Sequence, residues 1–192
     1  SVALLLKYGV IVSIFISLVS LSYLVIKTFS FGKRQMYAAP KGDATKGIVY
    51  AFGKGMMPWE KESAMNHLPT YIAGIFYHAG VFAAIVYLLL TLVSVALPGA
   101  ILFIIRLLCL AGVIAGVGLL VKRILSTPMR TLSCPDDFAA NAIVDLFLIS
   151  ALVHTFYPGI TPYFFLVAIV MFLYIPLGKI RHCFFFFYTR IL

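Results

Sequence analysis

The run from Tyr8 to Ile26 holds nineteen residues without a charge, bracketed by Lys7 and Lys27. That is enough helix to cross a hydrocarbon core of about 30 Å. Four more apolar stretches follow, at about 67–96, 99–121, 138–157 and 162–182. With 63% hydrophobic and only 11% charged residues, such a chain does not describe a water-soluble core. In lipid every backbone polar group has to be satisfied within the protein, which favours helices for apolar runs of this length. The expectation is an all-α integral membrane protein: one domain over residues 1–192, a five-helix bundle with spans at about 8–27, 67–96, 99–121, 138–157 and 162–182. The first run is too long for a signal-peptide core and lacks a clear cleavage site, so it is read as a retained span.

The charges sort by side. Two long connections, residues 30–66 and 122–137, carry Lys33, Arg34, Lys41, Lys46, Lys54, Lys61, Arg123 and Arg130, whereas Pro98-Gly99 and Tyr157-Pro158-Gly159 make short turns. Of fifteen Lys and Arg residues, thirteen fall on the side of the long connections; the exceptions are Lys7 and Arg106. The positive-inside rule then predicts an outside N-terminus and a cytoplasmic C-terminus. The net charge of +9 is thereby a matter of topology against a lipid bilayer, not of nucleic-acid binding. Asp136 or Asp137 is expected to cap the helix at 138–157. Gly112, Gly116 and Gly118 suit close helix packing. The three cysteines, Cys109, Cys134 and Cys183, form no CxxC or CxxCH motif, which assigns any iron–sulfur centre to a partner.

Four histidines carry the candidate chemistry. His67 and His78 stand eleven residues apart; on one helix that is about three turns plus 20°, and about 16 Å of rise. Both rings would point the same way, as ligands to two stacked haems would, with Gly74 between them leaving room for a flat macrocycle. By depth, His67 falls with His182 and His78 with His154, so that each pair would clamp one b-type haem. The other pairing, His78 with His182, requires the C-terminal segment to tilt inward. A titratable side chain in a span is costly unless it has a partner or a task, and iron supplies both. A histidine hydrogen-bonded between helices is the plainer alternative at each position.

Haem propionates need cationic donors at the membrane edge, and Lys54, Lys61, Lys122, Arg123 and Arg181 are available. Arg106, about two turns inside its span, is expected to meet a propionate of the outer haem, with Asp145 as the other possible counter-charge. Asp145 lies nine residues from His154, about 180° around the helix. It is read either as a helix contact with Asn141 or as part of a proton path.

Several segments resemble a known family. Trp59-Glu60-Lys61-Glu62-Ser63 leading into Asn66-His67, then Tyr77-His78-Ala79-Gly80, and the tail Arg181-His182-Cys183-Phe184-Phe185 resemble the gamma-subunit family of respiratory nitrate reductase. They are closest to its relatives, the membrane subunit of heterodisulfide reductase and the membrane cytochromes of quinone-interacting and sulfite-reduction-associated oxidoreductase complexes. The resemblance runs from about residue 46 to 192. It implies a cytochrome with two haem b groups in the cell membrane of a prokaryote. Such a cytochrome exchanges electrons with a menaquinone-type quinone and with soluble iron–sulfur or flavin-containing subunits on the cytoplasmic face. One departure is evident: in the nitrate-reductase subunit the partner histidines share a final helix, whereas here a turn after Tyr157 divides His154 from His182.

The function expected is therefore that of a multi-pass dihaem membrane subunit, with bond chemistry left to its partners. Inner quinone-site candidates are Lys54, Trp59, Glu60 and Glu62; outer ones are Lys7 and Arg106. A haem-free anchor and a small ion- or proton-coupled transporter are the rival readings. The second finds no internal repeat in the sequence.

Overall fold

A computed structural model describes residues 2–32, 37, 39 and 41–191. Ser1 and the loop cations Lys33 and Arg34 lie outside the described residues. The protein is 84% helix with no strand among the described residues. Four helices are long and apolar enough to cross a membrane: α1 (Val2–Phe29), α4 (Leu68–Leu92), α5 (Gly99–Leu125) and α7 (Pro135–His154). A fifth span is reached only by counting as one the bent pair Pro158–Tyr174 and Lys179–Ile191, whose parts stand at 74° to each other. Within it lie α8 (Thr161–Tyr174) and α9 (His182–Ile191). Large apolar side chains such as Phe15, Phe82, Phe103 and Ile114 point outward, as a lipid-facing surface requires.

The bundle is built around close backbone approaches. A Cβ added to Gly80 of α4 would stand 2.7 Å from the Gly112 Cα of α5, so these two helices touch main chain to main chain. Helix α7 lies against both, α8 packs on α7, and α1 packs on α8. Phe147, Phe164, Leu88, Leu148 and Met171 fill the middle. The α4–α5 hairpin turns through Ser94, a non-glycine residue at φ +56°.

The expected break between spans 4 and 5 is present, but the last span does not run unbroken to residue 182. Helix α8 stops at Tyr174, with Ile175 still helical at φ −46° and ψ −53°, because Pro176 has no N–H to continue the ladder. The second helix begins at Leu68, with His67 as an N-cap at φ −130° and ψ 39°; Pro69 sits in its first turn, where a missing N–H costs nothing. Helical arithmetic from His67 to His78 accordingly fails at its first step. Of the two expected capping aspartates, Asp137 takes part, as the N3 member of a capping box and not as the N-cap itself. Cys134 is the N-cap, and the Asp137 carboxylate accepts a hydrogen bond from the Cys134 N–H at 2.9 Å.

The connection at 30–66 is structured near its end by α2 (Ala44–Phe52) and α3 (Glu62–Asn66). Helix α2 packs on α9: Phe52 stacks on Phe187 with ring centres 5.9 Å apart, and Arg190 Nε donates to the Ala51 carbonyl at 3.3 Å. Helix α9 also meets the end of α1, where Thr28 Oγ1 and the Tyr188 hydroxyl are 2.8 Å apart. The connection between α5 and α7 contains α6 (Thr127–Thr131).

Candidate functional site

Two aspartates of α7 fix the entry to α9. Asp136 accepts from the Lys179 backbone N–H at 2.8 Å and from the Tyr174 hydroxyl, while Asp137 accepts from Lys179 Nζ at 2.7 Å. Asp137 also lies 3.5 Å from Arg123 at the end of α5. A side chain at Gly178 would collide with the Tyr174 ring at 2.6 Å and with Asp136 at 2.8 Å, so the chain turns here only with glycine. With Lys179 held from two sides, His182 is delivered at the start of α9, directed toward α4.

There it meets His78. The ring centres are 6.3 Å apart and the planes cross at 82°. His78 Nδ1 is 2.7 Å from the Gly74 carbonyl and His182 Nδ1 is 2.8 Å from the Lys179 carbonyl. A carbonyl only accepts, so each Nδ1 carries the proton and each Nε2 keeps its lone pair. That is the tautomer a metal-binding imidazole uses, with the other nitrogen tied to a backbone oxygen. Metal–imidazole bonds of about 2.0 Å on opposite sides of one ion, with each ring's radius added, separate two ring centres by about 6 Å. The ring-centre separation is of the size that two imidazoles on one ion would have, and the tautomer is the one such ligands use. Both rings are exposed, and nothing lies within 4 Å of a Cβ built on Gly74, one turn from His78.

His154 has a different environment. It is 4% exposed and stacks on Phe164 at 4.9 Å. Thr161 Oγ1 spends its proton on the Pro158 carbonyl at 2.6 Å, so His154 Nε2–H donates to Thr161 at 2.9 Å. Nδ1 then accepts from the Tyr87 hydroxyl at 2.8 Å. Both nitrogens are used, and as placed the ring has none to offer iron. The structure brings His78 to His182 rather than to His154, and it leaves His67 exposed at the start of α4. The pairing expected by depth, His67 with His182 and His78 with His154, presupposes a straight final span, and the final segment is bent. The bend after Tyr174 supplies the inward tilt that the other pairing needs.

Arg106 is likewise engaged within the protein. Its Nε donates to Thr155 Oγ1 at 3.2 Å, a second nitrogen donates to the Thr155 carbonyl, and the guanidinium lies 4.1 Å above the Phe156 ring. Thr155 is the C-cap of α7, so Arg106 neutralises the negative end of that helix rather than pairing with Asp145. Of the other candidates, Lys54 forms an ion pair with Glu60 at 3.3 Å, and Glu60 accepts from the Tyr50 hydroxyl at 2.8 Å. Trp59 and Glu62 are exposed, and Lys7 is half-buried near the start of α1. None of these touches the histidine pair. An apolar groove of about 820 Å³ runs between α4 and α5, lined by Leu68, Ile72, Phe76, Ile114 and Leu119, with Thr70 and Lys122 as its polar members. The sequence-based reading missed the groove, and it missed Tyr87 and Thr161. A polar residue opposite each histidine is the signal that was there to find.

A scan against family models, a comparison with curated proteins and a comparison with solved structures each returned no match.

Proposed function

We propose that the chain is a b-type cytochrome subunit of a membrane oxidoreductase complex, holding haem between His78 and His182. One observation carries this: two exposed imidazoles at 6.3 Å, each with Nδ1 on a backbone carbonyl and Nε2 without a hydrogen-bond partner among the described residues. Haem bound there would supply a one-electron ferric–ferrous couple. The chain's own residues prepare the pair. Gly74 and Lys179 carbonyls lock the tautomers, Asp136 and Asp137 anchor the turn that presents His182, and Phe82 lies beside His78, ring centres 6.4 Å apart.

Electrons would pass between a membrane quinone of the menaquinone type and soluble iron–sulfur or flavin subunits. The partners would dock on the basic side, placed in the cytoplasm by the positive-inside rule, with the N-terminus outside. His67 and His154 are not part of this proposal, so it holds one haem per chain and not two.

A pyridine haemochrome assay on the purified chain tests it. About one haem b per chain is expected, and none would end the proposal. Gly74→Trp fills the open side of His78 and is expected to lower haem content while leaving thermal unfolding unchanged. An equal loss of fold and haem would remove Gly74 from the site.

A further inference from the structure

Asp145 is the one acidic residue deep in the bundle, midway along α7 and 4% exposed. Its Oδ2 accepts from the Asn141 amide at 2.9 Å, while its Oδ1 is buried without a hydrogen-bond partner among the described residues. The Asn141 amide also reaches the Gly116 carbonyl at 3.2 Å and the Tyr77 oxygen at 3.3 Å, and the Tyr77 hydroxyl donates to the Asn141 carbonyl at 3.3 Å. Two hydrogens on the Asn141 amide and one on the Tyr77 hydroxyl serve a larger number of acceptors; the Tyr77 hydroxyl also acts on the carboxylate, yet as placed Oδ1 receives no hydrogen bond.

No cation fills the deficit. From α5, Arg106 is bound at Thr155, Lys122 at Thr70, and Arg123 at Ser133 and Asp137; Cys109, two turns outward of Gly116, brings no positive charge. From α4, Tyr77 is neutral, His78 is turned to His182, and Tyr87 serves His154. On α7 itself Asp137 is taken by Lys179. A Cβ on Gly116 would lie 2.1 Å from Asp145 Oδ1 and 2.4 Å from the Tyr77 ring, so α5 closes on the carboxylate at a position that only glycine allows. An unpaired carboxylate in apolar surroundings is among the costliest groups a protein can bury.

We infer that Asp145, Asn141, Tyr77 and Gly116 form a proton-binding site inside the bundle, with the proton on the Asp145 carboxyl. In the ionised form Oδ2 keeps the Asn141 amide, but Oδ1 carries charge with no hydrogen-bond partner among the described residues and no cation beside it, so release of the proton is coupled to loosening of the contact among α4, α5 and α7. The site needs no haem, so this inference and the cytochrome proposal can fail separately.

Infrared spectroscopy of the full chain in phospholipid vesicles tests it. The chain has six acidic residues, and the other five, Asp43, Glu60, Glu62, Asp136 and Asp137, belong to the connections or to the first turn of α7. At neutral pH the carbonyl stretch of a protonated carboxylic acid is expected in the wild type and absent from Asp145→Asn, whose amide supplies the missing donor. Isotope labelling of aspartate in the wild type must shift the same band, which gives the assignment even where the variant does not fold. Absence of the band at neutral pH, or its persistence in folded Asp145→Asn, would overturn the inference.

Discussion

His154 and the His78–His182 pair are made of the same side chain and differ in every other respect. Around His154 a tyrosine of α4 and a threonine and a phenylalanine of α8 take both nitrogens and one ring face. At the pair, among the described residues only one nitrogen of each ring is occupied, and the occupant is backbone. A buried polar group that is fully satisfied holds a fold together. One that is half satisfied and exposed is available to a ligand. Number and depth of histidines do not separate these cases; hydrogen-bond partners do.

The contrast can be broken most directly by exchanging losses. His78→Ala or His182→Ala should each abolish the haem spectrum of the purified chain while leaving its unfolding temperature nearly unchanged. His154→Ala should do the reverse, costing about 3 kcal/mol of stability by orphaning Tyr87 and Thr161 and opening a cavity, with haem retained. Haem loss in the His154 variant at unchanged stability would reverse the assignment. A smaller effect is expected at the anchor of the turn. Asp137→Ala frees Lys179, and supporting contacts of this kind are worth about tenfold or more in metal-site affinity, readable as faster haem loss to an acceptor protein.

The smallest effect lies furthest from the pair. The Tyr50 hydroxyl and then Lys54 hold the Glu60 carboxyl below its ordinary range. Its contribution to stability is therefore present above about pH 4.3, the ordinary glutamate value, and is lost as pH falls below it. Comparing thermal unfolding of the wild type and Glu60→Gln between neutral and acid pH should show the two curves converging in acid. Curves that stay parallel would detach Glu60 from this cluster.

Much of the architecture was legible because hydrophobic length is a local property. The uncharged run from Tyr8 to Ile26 reads directly as a span, and Asn141 and Asp145, one turn apart, do meet as their spacing implies. The candidate site was less legible. The last span was read straight through Pro176 and Gly178 to residue 182, and nothing local to them gives the 74° bend or says that Asp136 and Asp137, some forty residues earlier in the chain, hold the turn. Arg106 carried the right signal, a lone charge needing a partner, but the partner was a helix end exposed by the fold.

The sequence alone thus determined that the chain forms apolar helices of bilayer length with its cations gathered at one end, since composition and periodicity settle where a segment is stable. Tertiary structure alone decided which histidines meet. A side chain's partner depends on where helices end and turn, and those ends are set by contacts between residues far apart in the chain.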